Sequence, residues 1–502
     1  MARDLIAPNP GGCRNRLPKG RAAGVGYLGV SKYDRVPPYP AEVARSKAKK
    51  KPSNAPQRAT LKLVGGDRLV FGREVSHRDA TAFRRLVHKA QDEGQTGFTF
   101  DFSASTFMKP VAMAQLVVQA ETCRREGMHF DVIEPRDRRL RDLFAYSNWA
   151  HHLSPVNYGT NDQHPDGWLP IARYKTDEDL LRLVNHTCEV VLRKAQVRRS
   201  TLHGLEWAMN EIADNVFQHA AADEGGLLAV TVAPGRRKVQ FVVADAGRGI
   251  PTTIRTSKHP GLDSDVRAVR HAMKQGVTRD RSIGAGNGLA GALRIATAAR
   301  GSFLVHSGQA LVLANEAQPS PRGQLLRPNE ALDGTLVYFE LMTDHEFDLE
   351  AALLKDGVRI TDWDYLDSAY AVDDQDVRLS IAEEASSTAT RIAGNPVRVK
   401  VRNLVLAHPE VKVIIDFAGV ERVTASFADE VVGKLYESLG PQRFADRVVL
   451  AGMGKGLVRG QVVRAMGQRH SEAETRERRR KTAEQRRRRG RGNKRRSSRR
   501  SN

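Results

Sequence analysis

Cysteine is nearly absent from this 502-residue chain: Cys13, Cys123 and Cys188 are the whole supply, and no two form a C-x-x-C pair. Thiols so few and so dispersed exclude a disulfide framework and offer no zinc-ligand spacing, as expected in a reducing compartment. Long apolar runs are missing as well. No stretch approaches the roughly 18 residues that span a bilayer, and no apolar segment follows the basic N-terminus as in a secretory signal. The expectation is a soluble, cytoplasmic chain with no membrane partner. The paired His151 and His152 have no other ligand-type residue clustered near them, so a loop or surface role is expected.

The charge is where the absences end. Residues 1–58 carry +10 and residues 471–502 carry +11 of the formal +22, so the interior is close to neutral. Both ends are poor in apolar residues and cannot offset the entropy of ordering, which predicts a disordered basic arm over 1–58 and a disordered Arg-rich tail over 471–502. The run from Arg486 to Arg496 could neutralise several phosphates and give non-specific, salt-sensitive nucleic-acid binding. Aromatic residues are too scarce there for base stacking, so such binding would be blind to sequence. A solubilising or partner-docking tail is the alternative.

Between the ends, length suggests three domains. Over 59–155, Leu61–Val64, Leu69–Phe71, Phe98–Phe102 and Phe130–Ile133 read as strands. Asp79–Glu93, Val111–Glu126 and Asp137–Tyr146 read as helices, giving a small α/β domain. A polar stretch, 157–170, marks the boundary. In the second domain, 171–345, helices are expected from Asp177 to about Ala195 and from Thr201 to Ala220. In the latter, Leu205, Met209, Ile212, Val216 and Ala220 form an apolar stripe. Strands follow at Leu227–Val232 and Val239–Ala244, a helix from about Asn287 to Ala299, then strands at Phe303–His306 and Thr335–Leu341. A third domain, 376–455, reads as strands at Val397–Val401, Val411–Asp416 and Arg447–Leu450 with a helix from Ser426 to Leu439.

Three pieces of the middle domain carry chemistry. Glu211 and Asn215 are four apart, hence on one helix face. Asp245-Ala-Gly-Arg-Gly249 closes an apolar strand, where Gly247 and Gly249 permit positive φ and close backbone approach. Gly284, Gly286 and Gly288 precede a helix whose first amides are free to meet phosphate oxygens. Taken singly, each has a plain reading: a solvated helix face, a turn or cap, a glycine turn. The glycine segment is no dinucleotide fingerprint, because no strand directly precedes Gly284.

In this order, the three pieces resemble the GHKL ATP-binding (histidine kinase-like ATPase) family. The resemblance implies an α+β sandwich binding Mg²⁺ and ATP. Asp245 would accept from the exocyclic amine of adenine, and Thr335 of Asp333-Gly-Thr would contact the base edge. The amide oxygen of Asn215 would ligate Mg²⁺, and Glu211 would be the catalytic residue that activates water or a hydroxyl. Residues 251–283 would form a lid, with Lys258, Arg267, Arg270, Lys274 or Arg279 offsetting triphosphate charge. Asp416 to Glu430 is similar to a STAS-like domain, and Asp101 to Met108 is a fainter likeness, so the expected fold is an α/β ATP-binding domain flanked by two smaller STAS-like domains.

Such an assembly implies a Mg-ATP-binding regulator that hydrolyses ATP slowly and switches the flanking domains, through which it would meet a protein partner. A Ser/Thr kinase of the anti-sigma-factor type and a non-catalytic ATP sensor or scaffold are the alternatives. The usual phosphorylated serine of STAS domains falls at Ala425, which argues against self-phosphorylation. Neighbouring Ser426 reads as a helix cap.

Overall fold

The computed structural model describes residues 59–161, 169, 171–256, 262–274, 288–354, 364–370, 376–454 and 456–498. They fall into two compact units that divide between Tyr365 and Leu366.

The first unit opens with β1 (Lys62–Val64), β2 (Arg68–Val70), β3 (Glu74–Val75), α1 (His77–Asp92), β4 (Gly97–Asp101), β5 (Phe107–Met108), α2 (Pro110–Arg125), β6 (His129–Ile133), α3 (Arg138–Tyr146) and α4 (Trp149–Leu153). Its main sheet runs β1-β2-β4-β6; the last three strands are parallel, as β-α-β crossovers require, and β1 is an antiparallel edge. Asp79 organises the entry to α1: one carboxylate oxygen accepts from the Ser76 amide (2.9 Å) and the other from the Leu61 amide (2.8 Å). His151 and His152 sit on α4, where their rings meet the backbone carbonyls of Tyr158 (2.8 Å) and Ile171 (3.3 Å). They are half-buried fastenings of the domain boundary, where a loop or surface role was expected.

The chain then builds β7 (Ala172–Tyr174), α5 (Asp177–Lys194), α6 (Arg199–Asn215), β8 (Gly226–Ala233), β9 (Lys238–Asp245), α7 (Gly249–Thr256), α8 (Asp265–Ala272), α9 (Gly288–Ala298), β10 (Ser302–Gly308), β11 (Ala310–Asn315), β12 (Gln318–Leu325), β13 (Leu332–Met342) and α10 (Leu349–Leu354). Its seven strands form one antiparallel sheet in the order β12-β11-β10-β13-β9-β8-β7. Strands β7, β11 and β12 escape the sequence reading. Strand β12, Gln-Pro-Ser-Pro-Arg-Gly-Gln-Leu, is polar and carries two prolines, which a sheet tolerates at its edge.

Helix α2 explains why these two domains are one unit. Residues 112–121 are buried without a break, so the helix has no solvent face. One side covers its own sheet. The other lies on β8, β9 and β13, and Leu227, Ala229, Val242, Ala244 and Leu336 join the N-terminal phenylalanines in one core. Each large aliphatic side chain so buried contributes about 1.5–3 kcal/mol. His77 of α1 meets His306 of β10 edge to face at 5.4 Å.

The second unit, after α11 (Tyr365–Tyr370) at the division, comprises β14 (Asp376–Ser380), α12 (Ile381–Glu384), α13 (Arg391–Ala407), β15 (Lys412–Asp416), α14 (Ala425–Ala428), α15 (Lys434–Leu439), α16 (Pro441–Arg447), β16 (Val448–Ala451) and α17 (Leu457–Ser498). A π-helical turn, Asp429–Gly433, joins α14 to α15. Four expectations are corrected here. Val397–Val401 is helical, inside α13: its Val-x-Val-x-Val spacing mimics a strand, but Val397, Val401, Leu404 and Val405 form a helical stripe. The first strand is instead Asp376–Ser380. Thr424, and not Ser426, caps α14, accepting from the Phe427 amide (3.1 Å). Finally, α17 extends the domain past 455 and is helical through Ser498, where a disordered tail was expected from 471. Val458, Val462, Ala465 and Met466 bury its first turns, and Arg469 anchors it to Asp429 (2.7 and 2.8 Å) and Glu437 (3.0 Å). The following run of Arg, Glu, Gln, Lys and Ala contains good helix formers and no proline.

The two flanking domains share one connectivity. In each, β-α-β-α-β gives a parallel sheet whose strand order follows the chain, β2-β4-β6 and β14-β15-β16. In each, an Asp ends the central strand and accepts from the amide two residues on (Ser103 and Ala418, both 2.9 Å). It also pairs with an Arg of the preceding strand, Arg68–Asp101 at 2.5 Å and Arg378–Asp416 at 2.7 Å.

Candidate nucleotide site

Helix α6 holds Glu211 and Asn215 because Leu205, Ala208, Met209 and Ile212 bury the adjoining stripe of the helix. Asn215 donates its amide nitrogen to the Glu211 carbonyl (2.6 Å). That bond engages the amide nitrogen and does not use the carboxamide oxygen. Burial, and secondarily Asp214, push the Glu211 carboxyl above its ordinary value. A carboxylate made more basic is a better proton acceptor near neutrality.

Beyond Asn215 the helix widens into a π turn, Val216–Ala220, and ends at Ala221 in the left-handed region. This wider turn presents the Ala220 carbonyl to the Arg248 amide (2.8 Å). A Cβ on Gly247 would overlap that same oxygen. Gly247 is therefore required by close approach, whereas Gly249 is required by its φ of 75°.

Asp245 ends β9 almost wholly buried, opposite Thr335 of β13. Its Oδ1 accepts from the Gly247 amide (2.9 Å), and the Thr335 backbone amide also favours its charged form. Burial outweighs both, lifting its pKa to about 7. Among the described residues, no cation pairs with it. A buried carboxyl held only by backbone donors fits an uncharged donor such as an amine on a base.

Ser307 is the residue the sequence reading missed. Its hydroxyl donates to Gly334 O (2.7 Å), accepts from the Ile250 amide (2.9 Å) and lies 3.1 Å from Thr335 Oγ1. It thus ties the Asp245–Gly249 turn to the Gly334-Thr335 corner, where Gly334 has a φ of 110°. A lone serine at the end of the apolar strand β10 was the only signal available.

Helix α9 closes the other end. A Cβ on Gly288 would stand 2.7 Å from Glu211 Oε2 and 3.5 Å from Asn215 Nδ2, so the first turn of α9 abuts both side chains. Residues 211, 215 and 288 form one cluster and residues 245, 247, 249, 307 and 335 another, bridged by the end of α6. Gly284 and Gly286 lie outside the described residues, as do Lys258 and Arg279. Of the expected lid, α7 and α8 are fastened to the sheet: Asp265 accepts from the Gln309 amide (2.7 Å), and Ala268 and Val269 are buried. Arg267 pairs with Asp263 at 3.2 Å.

No group of three His, Cys, Asp or Glu able to hold a metal occurs among the described residues. Asn215 alone fits a hard cation that keeps most of its waters and leans on phosphate oxygens, the habit of Mg²⁺. A cavity of about 290 Å³ lies elsewhere, walled by Phe144, Trp149, Ile171 and Val230, and no site residue lines it.

Residues 174–302 match the family model of the histidine kinase-like ATPase domain. Residues 394–456 match that of a STAS-like domain of unknown function. No curated protein matches the chain. The first match contains Glu211, Asn215, Asp245 and Gly288, while Ser307 and Thr335 lie on strands beyond it. No helix among the described residues is long and apolar enough to cross a membrane.

Proposed function

We propose that this chain, which carries a histidine kinase-like ATPase domain and a STAS-like domain, binds Mg·ATP and hydrolyses it slowly as a regulatory switch. The observation carrying this reading is the buried Asp245, which accepts from the Gly247 amide and pairs with no cation among the described residues. Asp245 accepts from the exocyclic amine, and Thr335 supports the base edge. The first amides of α9, with Gly284, Gly286 and Gly288, receive phosphate oxygens. Asn215 would hold Mg²⁺ through its amide oxygen, and the ion when bound would offset phosphate charge.

Glu211 takes a proton from water as the water oxygen bonds to the γ-phosphorus. The bond to the ADP oxygen breaks, leaving ADP and inorganic phosphate, and the proton returns to solvent. A Ser or Thr hydroxyl in place of that water makes the same residue the base of a protein kinase. Exposed Ser426 on α14 favours this second reading as an acceptor. A non-catalytic sensor would bind ATP without either step.

The shared connectivity and matching strand-end Asp–Arg pairs support reading residues 59–155 as a second STAS-like copy. The two copies are then the surfaces through which a protein partner is met, and the basic ends add a salt-sensitive affinity for nucleic acid. Incubation of the purified chain with γ-labelled ATP tests the reaction. Free phosphate is expected; label on the chain or a partner means a kinase, and binding with no transfer means a sensor.

A further inference from the structure

The N-terminal α/β domain contributes two arginines to the walls of the nucleotide site. Arg125, in the last turn of α2, donates to the Ala246 carbonyl at 2.9 Å. That oxygen belongs to the peptide whose other end, the Gly247 amide, donates to Asp245 Oδ1. A peptide group is planar and rigid, so Arg125 on one side and the Asp245 carboxylate on the other hold a single plate. Glu121, one turn back on α2, orients Arg125 (4.0 Å) and also pairs with Arg173 of β7 at 2.5 Å. On the second wall, Arg84 of α1 pairs with Asp333 and donates to the Ala331 carbonyl (3.2 Å). Those residues immediately precede Gly334-Thr335, whose amide meets the same Asp245 carboxyl.

We infer that Arg125 and Arg84 are positioning residues: the N-terminal domain sets the two turns that read the base, so nucleotide recognition depends on its docked state. The inference rests on the nucleotide reading above and adds a dependence that the ATPase domain by itself would lack. Neither arginine would touch the nucleotide. Each acts on a backbone turn, so its loss blurs the reading of the amine and leaves the phosphate end unaffected.

The test compares ATP with inosine triphosphate, which carries a carbonyl where adenine carries the amine, by calorimetry on the full chain. Arg125→Ala is expected to weaken ATP binding about tenfold, the scale of one hydrogen bond to a charged group, and to change inosine triphosphate binding less than about twofold on the same scale. Arg84→Ala is expected to do the same through the other wall, and Arg125→Lys to recover part of the preference. Thermal melts establish that each variant is folded. Arg125 is about half exposed, so its variants keep the inference testable should Arg84→Ala unfold. An unaltered ATP preference in folded Arg125→Ala overturns the inference, as does an equal loss for both nucleotides. A wild-type chain that binds neither nucleotide overturns the underlying nucleotide reading instead.

Discussion

If the buried carboxyl of Asp245 meets the base as proposed, nucleotide binding is a proton-linked event. In water its pKa is 3.8; in the fold it is about 7. Between those values the folded chain holds more protons than the unfolded one, so this group lowers stability as pH rises from about 4 to 7. Above pH 7 the ionised form costs the fold about 4 kcal/mol, at 1.36 kcal/mol per unit. A donor amine favours the ionised carboxylate, so binding must expel the proton where one is present. With a pKa of about 7, roughly a tenth of the sites are ionised at pH 6 and nine tenths at pH 8, so affinity should rise about tenfold across that span. Calorimetry of Mg·ADP at pH 6, 7 and 8 reads this directly, and two buffers of different ionisation enthalpy at pH 6 should report release of nearly one proton. Asp245→Asn removes the carboxyl's titration: its affinity should be weaker at pH 8 and lack the tenfold rise, and its apo form should be more stable than wild type at that pH. If the variant and wild type share one pH profile, Asp245 is not the group that meets the base.

Replacing Glu211 by Gln or Ala should leave ATP affinity within about threefold while turnover falls by at least about a hundredfold, the usual share of a general base; retained phosphate release removes it from that role. Gly334→Ala forces a Cβ into the Asp245 carbonyl at a φ of 110°. A loss of about 3 kcal/mol or more in urea unfolding is expected, and a wild-type midpoint would contradict the geometry. His77 is pushed down to about 4 by burial, with Lys109 and Arg78 adding to the effect, and His306 is lowered well below its ordinary value by burial and by His77. Both are favoured neutral, so their stability is present above the unfolded pKa and is lost as pH falls below about 6.5. Between pH 7 and 5 wild type should lose stability relative to His77→Gln in melts, a comparison in which the opposite contribution of Asp245 cancels. A chain ending at residue 470 should lose most of the salt dependence of any nucleic-acid binding; an unchanged slope would acquit the Arg-rich end.

Much of the fold was legible because its signals are local. The α6 stripe, the apolar alternation of β9 and the β-α-β run of the first domain each follow from residues within one element. The reading failed where local patterns are ambiguous or silent. Val397–Val401 satisfies both a two-residue and a helical period, and packing chose the helix. Strand β12 carries no apolar pattern, since an edge strand in solvent needs none. Ser307 was invisible because its role lies in two partners, Ile250 and Gly334, that are far from it in the chain.

The sequence by itself determined which groups are available: a carboxylate and a carboxamide one turn apart on α6, an acid at a strand end, and glycines where no Cβ would fit. Spacing along a helix or strand sets these relations, and no distant contact is needed to establish them. Only the tertiary structure decided that Asp245 is buried enough to titrate near neutrality and that the π turn at Ala220 meets the Arg248 amide of the turn after Asp245. Only it showed α2 buried on both sides, with Arg125 reaching the Ala246 carbonyl. Desolvation and cross-domain hydrogen bonds depend on what surrounds a residue in space, which no local pattern encodes.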